Sequence, residues 1–423
     1  MQTPPPGPAG PLKGLRVVDL TTVIMGPYAT HILADMGADV IKIESPEGDA
    51  FRSYGPSRHD GMGGSILQLH RNKRSVVLDL KQANARTALN RVIESADVLV
   101  HNLRPQPAAR MALDWTSVQK INPRIILCAA RGFGSSGPYA NKAAYDDIIQ
   151  AGSGLAALHM QVHGKPLYVP TAICDKVAGQ AIVYALLAAL LHRERGGSGQ
   201  EIEVPMFETL IEFMLAEHLG PGAFEPPLGP IGFARQLSAE RKPYRTSDGW
   251  ACILPYSDRN WLDFFAFIGR LALRDDSRFA DMDSRGRNVD DLYRIVNEEA
   301  PKHSTHDWIR FCDQASIACM PVLSFDELDD DPHVRAVGLF EHSDHPSEGA
   351  YRAVRSSIRF GATPYALTRH APRLGQDTED VLREIGLTEL QISQLTSADR
   401  PSATARPVAS TSNHSPFKAT AEP

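Results

Sequence analysis

Two short stretches of the sequence carry residues whose types and spacing could do chemistry. One is I-C-D-K-V-A-G at 173–179, in which Asp175 stands where an apolar segment turns into a long helical pattern. The other is R-G-F-G-S-S-G-P-Y at 131–139, whose glycines 132, 134 and 137 match G-x-G-x-x-G, the fingerprint of a dinucleotide-binding turn. The first stretch would supply a nucleophile and the second would hold a pyrophosphate, so they imply different enzymes.

The glycine motif lacks the surroundings that a dinucleotide loop needs. A strand pattern at 123–130 precedes it, but Pro138 and Tyr139 after the last glycine are typical of a turn and not of a helix start. Several predicted strands also come before it, whereas the fingerprint ordinarily lies in the first strand–helix unit. We therefore interpret the motif as a glycine-rich loop after a strand and expect no nicotinamide chemistry.

Asp175 has two interpretations. An aspartate at the start of a helix is often a plain N-cap that accepts backbone N–H bonds. The same geometry also favours the ionised carboxylate, because unpaired N–H groups and the helix dipole stabilise negative charge. Carboxylates are recognised covalent catalysts, so Asp175 is a candidate nucleophile. The residues alone leave both interpretations open.

Other reactive residues have simpler interpretations. Cys174 has no positioned histidine in the sequence and is predicted to be a buried small residue. His31 is interpreted as a helix-surface histidine, and the carboxylates of Asp329–Asp331 as a solvated helix cap and not a metal site. The 5 cysteines are dispersed and form no C-x-x-C pair, which indicates reduced thiols and argues against structural zinc.

Composition excludes several classes of protein. A formal net charge of -6 gives no electrostatic footprint for nucleic acid or an anionic membrane. The longest apolar run, Ala181–Leu191, is much shorter than the about 20 residues that a membrane span needs, so a buried core helix is predicted. The first residues do not match a secretory signal, and we expect a cytoplasmic protein.

Apolar runs of strand length alternate with helical patterns over the first half of the chain. Strands are predicted at 15–20, 40–44, 75–80, 97–100, 123–130 and 200–204, and helices at 27–36, 83–94, 176–194 and 206–219. Continuous apolar strands alternating with helices predict a parallel sheet covered on both faces. The fold class is therefore α/β, with a Rossmann-like large domain.

Changes in composition divide the chain further. We predict a flexible arm at 1–10, the first part of the large domain at 11–219 and a linker at 220–243. A smaller α+β domain at 244–335 opens on a hairpin around Asp248 and Gly249. Residues 336–396 would link back to the large domain, and the Ser/Thr/Pro-rich residues 397–423 are predicted to be a disordered tail.

Seven segments, in this order and spacing, resemble the family III CoA-transferases, also called the CaiB–BaiF family. They are PLKGLRVVDLT, GADVIKIESPEGD, RNKRSVVLDLK, ADVLVHNLRP, INPRIIL, GFGSSGPYA and the stretch from ICDKVAG to EIEVPM. The resemblance covers about residues 11–390. Each motif is weak alone, but their order is specific. The family resemblance places a nucleophilic aspartate at Asp175.

The resemblance implies a reaction. Asp175 would attack an acyl-CoA thioester, giving an aspartyl anhydride and then an aspartyl–CoA thioester that passes CoA to a free carboxylic acid. CoA is then a substrate, with no cofactor or metal. Arg235 and the basic stretch at 241–245 hint at a dicarboxylate such as succinate. The family also implies an interlocked homodimer.

The same resemblance implies which residues contact CoA. Val23 would line the site, Leu78 and Asn102–Leu103 would flank the adenine and ribose, Arg110 would pair with a phosphate, and Tyr145 would contact the pantetheine arm. Ser45 departs from the family, which often carries arginine there. Arg52 or Arg74 are candidate substitutes.

Two alternatives remain beside the transferase. The α-methylacyl-CoA racemase branch of the family uses a His/Asp pair of bases, and Tyr145 stands where that histidine falls. Tyrosine is a poor base near neutrality because its usual pKa is about 10. The other alternative is a family member without catalytic activity, which the intact Asp175 disfavours.

Overall fold

The protein is described by a computed structural model that covers residues 10–398. The predicted flexible arm lies outside the described residues except for Gly10. The predicted disordered tail also lies outside them, except for residues 397 and 398, which end the last helix.

A six-stranded sheet forms the centre of the larger part of the molecule. Its strands are β1 (Arg16–Leu20), β2 (Asp39–Glu44), β3 (Lys73–Val77), β4 (Val98–His101), β5 (Ile126–Arg131) and β6 (Gln200–Pro205). All neighbours are parallel, and their spatial order is β3-β2-β1-β4-β5-β6. The predicted α/β fold with a parallel sheet is confirmed, and this strand order is the Rossmann order.

Helices cover both faces of this sheet. They are α1 (Met25–Asp35), α2 (Gly64–Leu69), α3 (Ala83–Glu94), α4 (Pro105–Arg110), α5 (Trp115–Ile121), α6 (Asp146–Gly152), α7 (Leu155–His163), α8 (Ile173–Glu194) and α9 (Met206–His218). One core joins α1, α8 and α9 to the sheet, and another joins α3 and α5 to its opposite face.

Helix α8 is the longest helix within residues 10–398 and lies in the core. By length and apolar composition it could cross a membrane, but half of its most apolar stretch is buried inside the protein. It packs along α1, where a Cβ on Gly179 would lie 2.9 Å from the carbonyl oxygen of Met25. The predicted core helix is confirmed, although it begins at Ile173 and not at Lys176.

The chain from 244 to 321 forms a separate core around a three-stranded antiparallel sheet. Strands β7 (Tyr244–Arg245), β8 (Trp250–Leu254) and β9 (Ala318–Pro321) are covered by helices α10 (Asp258–Phe267), α11 (Met282–Arg287), α12 (Val289–Glu299) and α13 (Thr305–Ala315). The hairpin predicted around Asp248 and Gly249 is β7–β8. Trp308 and Phe264 are fully buried at the centre of this core.

The last part of the chain returns to the larger sheet. Helix α14 (Pro332–Val337) and the hairpin β10 (Phe340–His345) and β11 (Gly349–Val354) precede α15 (Thr378–Glu384) and α16 (Glu389–Ala398). Val381 and Leu382 of α15 are fully buried in the core that contains α3 and α5. The C-terminal helices therefore complete the face of the sheet that the N-terminal half leaves open.

The strand order reverses between β1 and β4. In open parallel sheets the loops that leave the carboxyl ends of two such strands diverge and leave a crevice, where ligands bind. The fold therefore places the loops that begin at Thr21 and Asn102 at the binding crevice.

Candidate active site

A cavity of about 320 Å³ occupies the crevice at the carboxyl ends of β1, β4 and β5. Residues 22–25 after β1, 102–104 after β4 and 130–132 at the end of β5 line it, together with the segment 142–145, Asp175 and Met206. Of the residues implied by the family resemblance, this cavity brings together Val23, Asn102, Leu103, Tyr145 and Asp175.

Asp175 lies in the first turn of α8 but does not cap it. The backbone N–H groups of Cys174 and Asp175 both donate to Oδ2 of Asp146, at 2.7 and 3.0 Å. Asp146 is buried at the start of α6. The N-cap interpretation of Asp175 is therefore wrong: Asp146 satisfies these amides and leaves the Asp175 carboxylate facing the cavity.

The surroundings of Asp175 disfavour its ionised form, whereas the sequence suggested that they would favour it. Burial, and then the neighbouring carboxylate of Asp146, raise the pKa of Asp175 from 3.8 to about 7, against a smaller opposite effect of Lys176. The expectation that unpaired amides and the helix dipole hold Asp175 ionised is wrong, because Asp146 already occupies those amides.

The loops after β1 and β4 are tied together across the strand reversal. Asn102 donates from Nδ2 to the carbonyl oxygen of Thr22 at 3.0 Å, and its Oδ1 accepts from the Thr22 amide at 3.3 Å. One amide side chain thus pairs with both polar groups of a single backbone residue, which fixes the mouth of the cavity.

A second cavity of about 400 Å³ lies beside the first, and both are lined by Thr22 and Leu103. Leu78 and Ser45 line this second cavity, and its cationic residues are Lys42, Lys81 and Arg86. Arg110 lines neither cavity and is exposed at the end of α4. The structure therefore places Leu78 beside the Asp175 cavity, but not Arg110.

The two arginines considered as substitutes at Ser45 have other partners. Arg52 is buried and binds Glu44, with Nε 2.7 Å from Oε2. Arg74 binds Asp39 at 2.6 Å and Glu384 at 2.7 Å. Neither lines a cavity at the crevice, so both candidate substitutions are wrong.

Two amides at the centre of the glycine-rich loop after β5 are already bound to carboxylates and do not point to a pyrophosphate. The Gly134 amide donates to Glu208 at 3.0 Å, and the Ser135 amide donates to Glu203 at 2.7 Å. No helix begins between Gly132 and Tyr145. A Cβ on Gly132 would lie 2.2 Å from that of Ala144, so glycine here lets the loop bring the segment 142–145 to the cavity. The interpretation as a loop without a dinucleotide role agrees with these contacts.

Three cationic side chains that the sequence analysis did not select also line the Asp175 cavity: Arg104, Lys142 and Arg131. The Arg131 side chain is 10% exposed and lies 3.4 Å from Glu203, while its Nη1 has no hydrogen-bond partner. Arg235, selected for a carboxylate, instead donates to the Tyr293 hydroxyl at 2.8 Å, away from this cavity. A cation at the end of an apolar strand, as in C-A-A-R, could have revealed Arg131.

The remaining candidates have structural surroundings. Burial and the carboxylates of Asp146 and Asp175 raise the pKa of the Cys174 thiol, which makes it a poor nucleophile. His31 is buried beside Asp35, so the surface interpretation is wrong. Asp331 caps α14, as predicted for the run 329–331. Within residues 10–398 no three His, Cys, Asp or Glu side chains are grouped as a metal site requires.

The sequence and the fold are similar to those of known proteins. The model of CoA-transferase family III matches residues 12–378. The succinate–glutarate CoA-transferase of Agrobacterium fabrum is 32% identical over 386 residues, which is 90% of this chain and 96% of that protein. The formyl-CoA:oxalate CoA-transferase of Shigella sonnei is 31% identical over 409 residues, covering 91% of this chain and 98% of that protein.

Solved structures show the same architecture. A CAIB/BAIF family protein from Brucella suis superposes with a TM-score of 0.76 and 29% identity, over 89% of this chain and 100% of that one. Rv3272 from Mycobacterium tuberculosis superposes with a TM-score of 0.75 and 26% identity, over 88% of this chain and 99% of that one.

Proposed function

Because the chain belongs to CoA-transferase family III, we propose that it moves CoA from an acyl-CoA thioester to a free carboxylic acid by covalent catalysis at Asp175. The observation that carries the proposal is the position of the Asp175 carboxylate, which lines the cavity at the strand reversal of a Rossmann-order sheet. In this reaction CoA is a substrate, and no metal or resident cofactor takes part.

The reaction is a sequence of acyl transfers. The Asp175 carboxylate attacks the carbonyl of the donor thioester and the carbon–sulfur bond breaks. The products of this step are CoA thiolate and an acyl–aspartyl anhydride. The thiolate attacks the aspartyl carbonyl and releases the donor acid, giving an aspartyl–CoA thioester. The acceptor carboxylate attacks the carbonyl of that thioester, its carbon–sulfur bond breaks, and CoA thiolate and a second, acceptor–aspartyl anhydride are formed. The thiolate then attacks the acceptor's acyl carbonyl in this anhydride and displaces the Asp175 carboxylate. Acyl-CoA leaves and the Asp175 carboxylate is restored without net proton transfer.

The surroundings of Asp175 suit a nucleophile. A buried carboxylate with a raised pKa is poorly solvated and more basic than one in water, so its ionised form attacks a carbonyl more readily. Asp146 contributes twice, because its Oδ2 holds the first turn of α8 in place and its charge raises the pKa of Asp175.

We also propose a dicarboxylate as one of the two acids. The names of the two relatives include succinate, glutarate and oxalate, which are all dicarboxylates. When one carboxylate reacts at Asp175, the second needs a cation, and Arg131, Arg104 and Lys142 line the same cavity. A guanidinium suits a carboxylate because its donors match both oxygens.

The proposed enzyme is a cytoplasmic homodimer. The single chain exposes large apolar side chains on the helices behind the cavity, including Tyr184 on α8, at 63%, and Phe213 on α9, at 58%. Such a surface is typical of a protein–protein interface.

Trapping the covalent intermediate tests the proposed chemistry. The protein is incubated with succinyl-CoA and then treated with sodium borohydride, which reduces an aspartyl anhydride or thioester to homoserine. Peptide mapping is expected to locate homoserine at position 175, and the Asp147→Asn variant, altered at an exposed acid of α6, serves as the matched control.

Two results would contradict the transferase. An unmodified Asp175 together with exchange of the α-proton of a 2-methylacyl-CoA into solvent would indicate the racemase reaction. An unmodified Asp175 without exchange, in a protein that binds CoA, would indicate a family member without catalytic activity.

A further inference from the structure

Val23 at the mouth of the Asp175 cavity has a backbone conformation that its side chain disfavours. Its φ is 73°, in the left-handed region. The other non-glycine residues with positive φ within residues 10–398 are Asn72, Ala112 and Ser316, so Val23 is the β-branched one among them. A β-branched residue in this region is strained, and it persists only where its surroundings hold it.

A buried carboxylate holds Val23 by its amide. The Val23 N–H donates to Oδ1 of Asp49 at 3.1 Å, and the same oxygen accepts from the Phe51 amide at 2.9 Å. Asp49 is itself fixed, because its own amide donates to Glu44 at 3.0 Å. The position of the Val23 amide is thus set by strand β2 and the turn that follows it.

A buried lysine holds the chain on the other side of the strained residue. Lys42 Nζ donates to the carbonyl oxygen of Thr21 at 2.7 Å and lies 3.0 Å from Oδ2 of Asp49. The contact with Asp49 is an ion pair between two fully buried side chains. The pair therefore binds one polar backbone group before Thr22 and another after it.

This pair is buried against the loop, in the wall of the second cavity. The Lys42 and Asp49 side chains are 1% and 0% exposed, whereas Thr22, Val23 and Ile24 line the cavity. Helix α1 begins immediately afterwards and has no side-chain cap on its first turn. The conformation of Val23 therefore sets the direction in which the chain enters the first turn of α1.

We propose that the Lys42–Asp49 ion pair is a positioning device that holds Val23 in the left-handed conformation and so shapes the CoA-binding loop after β1. The proposal rests on the proposed function, because it concerns CoA as the ligand of this cavity. A purely structural ion pair would stabilise the fold but would not couple to the residue type at position 23.

A double-mutant cycle between Asp49 and Val23 tests the coupling. Asp49→Ala removes the acceptor, so the loop must spend part of its time with Val23 in an ordinary conformation, and the Kd for CoA is expected to rise on the order of 10-fold. Glycine adopts positive φ without strain. In the Val23→Gly background, Asp49→Ala is therefore expected to change Kd by only about 2-fold. Calorimetric titration with CoA measures all four proteins.

Controls separate positioning from stability. Asp35→Ala removes another buried carboxylate, which lies 2.7 Å from Arg71 and lines neither CoA cavity. This variant is expected to have a lower melting temperature but an unchanged Kd. Asp49→Asn keeps a side-chain acceptor and is expected to fall between the wild type and Asp49→Ala. It is measured in both backgrounds, so the cycle closes even if Asp49→Ala does not fold.

The outcomes distinguish this inference from the proposed function. CoA binding with an equal effect of Asp49→Ala in both backgrounds would overturn the positioning role alone. A change of Kd in Asp35→Ala as large as that in Asp49→Ala would do the same. Failure of the unaltered protein to bind CoA would overturn the proposed function and this inference together.

Discussion

The two sides of the crevice treat buried carboxylates in opposite ways. On one side, three buried acids in β1, in β2 and in the turn after β2 each have a cation: Asp19 lies 3.2 Å from Lys73, Glu44 2.7 Å from Arg52 and Asp49 3.0 Å from Lys42. Across the cavity, Asp146 and Asp175 lie side by side, and neither forms an ion pair with any residue that the structure describes.

The pKa values follow from this difference. Burial alone would raise the pKa of Glu44, but its contacts with Arg52 and Lys42 lower it to about 2. Burial also raises the pKa of Asp175, and the neighbouring Asp146 carboxylate adds to this effect, so that the pKa reaches about 7. Paired charges are held in one state and fix geometry, whereas an unpaired buried carboxylate can react.

The largest expected effect comes from removing the unpaired acid. Asp175→Asn keeps the size of the side chain but removes the nucleophile, so CoA transfer from succinyl-CoA to glutarate is expected to fall by about 10⁴-fold or more. Chromatography of the CoA esters measures the rate. Asp147→Asn, an exposed acid in the first turn of α6, is the control and should remain within about 2-fold of the wild type.

Substantial transfer activity in Asp175→Asn would break the contrast, because the unpaired acid would then have no chemical role. Circular dichroism of both variants shows whether the fold is retained.

Removing an acid on the paired side should instead affect stability. Asp19 is fully buried and accepts hydrogen bonds from Thr21, Thr30 and Lys73. Asp19→Asn leaves buried lysines without their counter-charge, and the free energy of unfolding is expected to fall by about 3–5 kcal/mol. Chemical denaturation measures it.

A surface pair gives the matched comparison for this loss. Asp263 lies 3.5 Å from Arg259 on α10, and their side chains are 37% and 87% exposed. Asp263→Asn is expected to cost less than about 1 kcal/mol. Equal losses in the two variants would mean that burial of the Asp19 pair contributes nothing special.

The sequence predicted the sheet well because its strands carry the signal locally. Buried parallel strands are continuous apolar runs, and those ending at Leu20 and near Val100 and Ala130 were placed within a few residues. Charged residues inside such apolar runs, as in V-I-K-I-E and V-V-D-L, also indicate buried ion pairs, and the sequence analysis did not use them. Lys42 and Asp19 in these runs are the paired charges beneath the crevice.

The partner of Asp175 could not be predicted in this way. Asp146 is 29 residues away in the chain, and its contact with the start of α8 depends on how α6 packs against α8. Helix propensity and capping rules consider only neighbours in sequence, so the acid that they offered as a cap was Asp175. The raised pKa of Asp175 depends on the same long-range contact and could not be inferred either.

The pH dependence of activity gives the smallest and most specific test of the contrast. Because Asp175 must be ionised to attack, kcat/KM is expected to rise with pH to a plateau, with a midpoint at about 7. Asp146→Asn removes the neighbouring charge but keeps a carbonyl oxygen for the two amides, so the midpoint should move down by about one pH unit. Lys176→Met removes the cation that lowers the pKa of Asp175 and should move it up.

Stability provides an independent check on the same group. A pKa raised from 3.8 in the unfolded chain to about 7 in the folded one means that the native state binds this proton more tightly. The stability of the wild type relative to Asp175→Asn should therefore be greatest at low pH, fall as pH rises through this interval and stay low above it. Thermal unfolding of the two proteins between these pH values measures the difference. A stability difference between the two proteins that does not change with pH would mean that Asp175 does not titrate as an unpaired buried acid. Midpoints of kcat/KM that shift in the same direction in Asp146→Asn and Lys176→Met would mean the same.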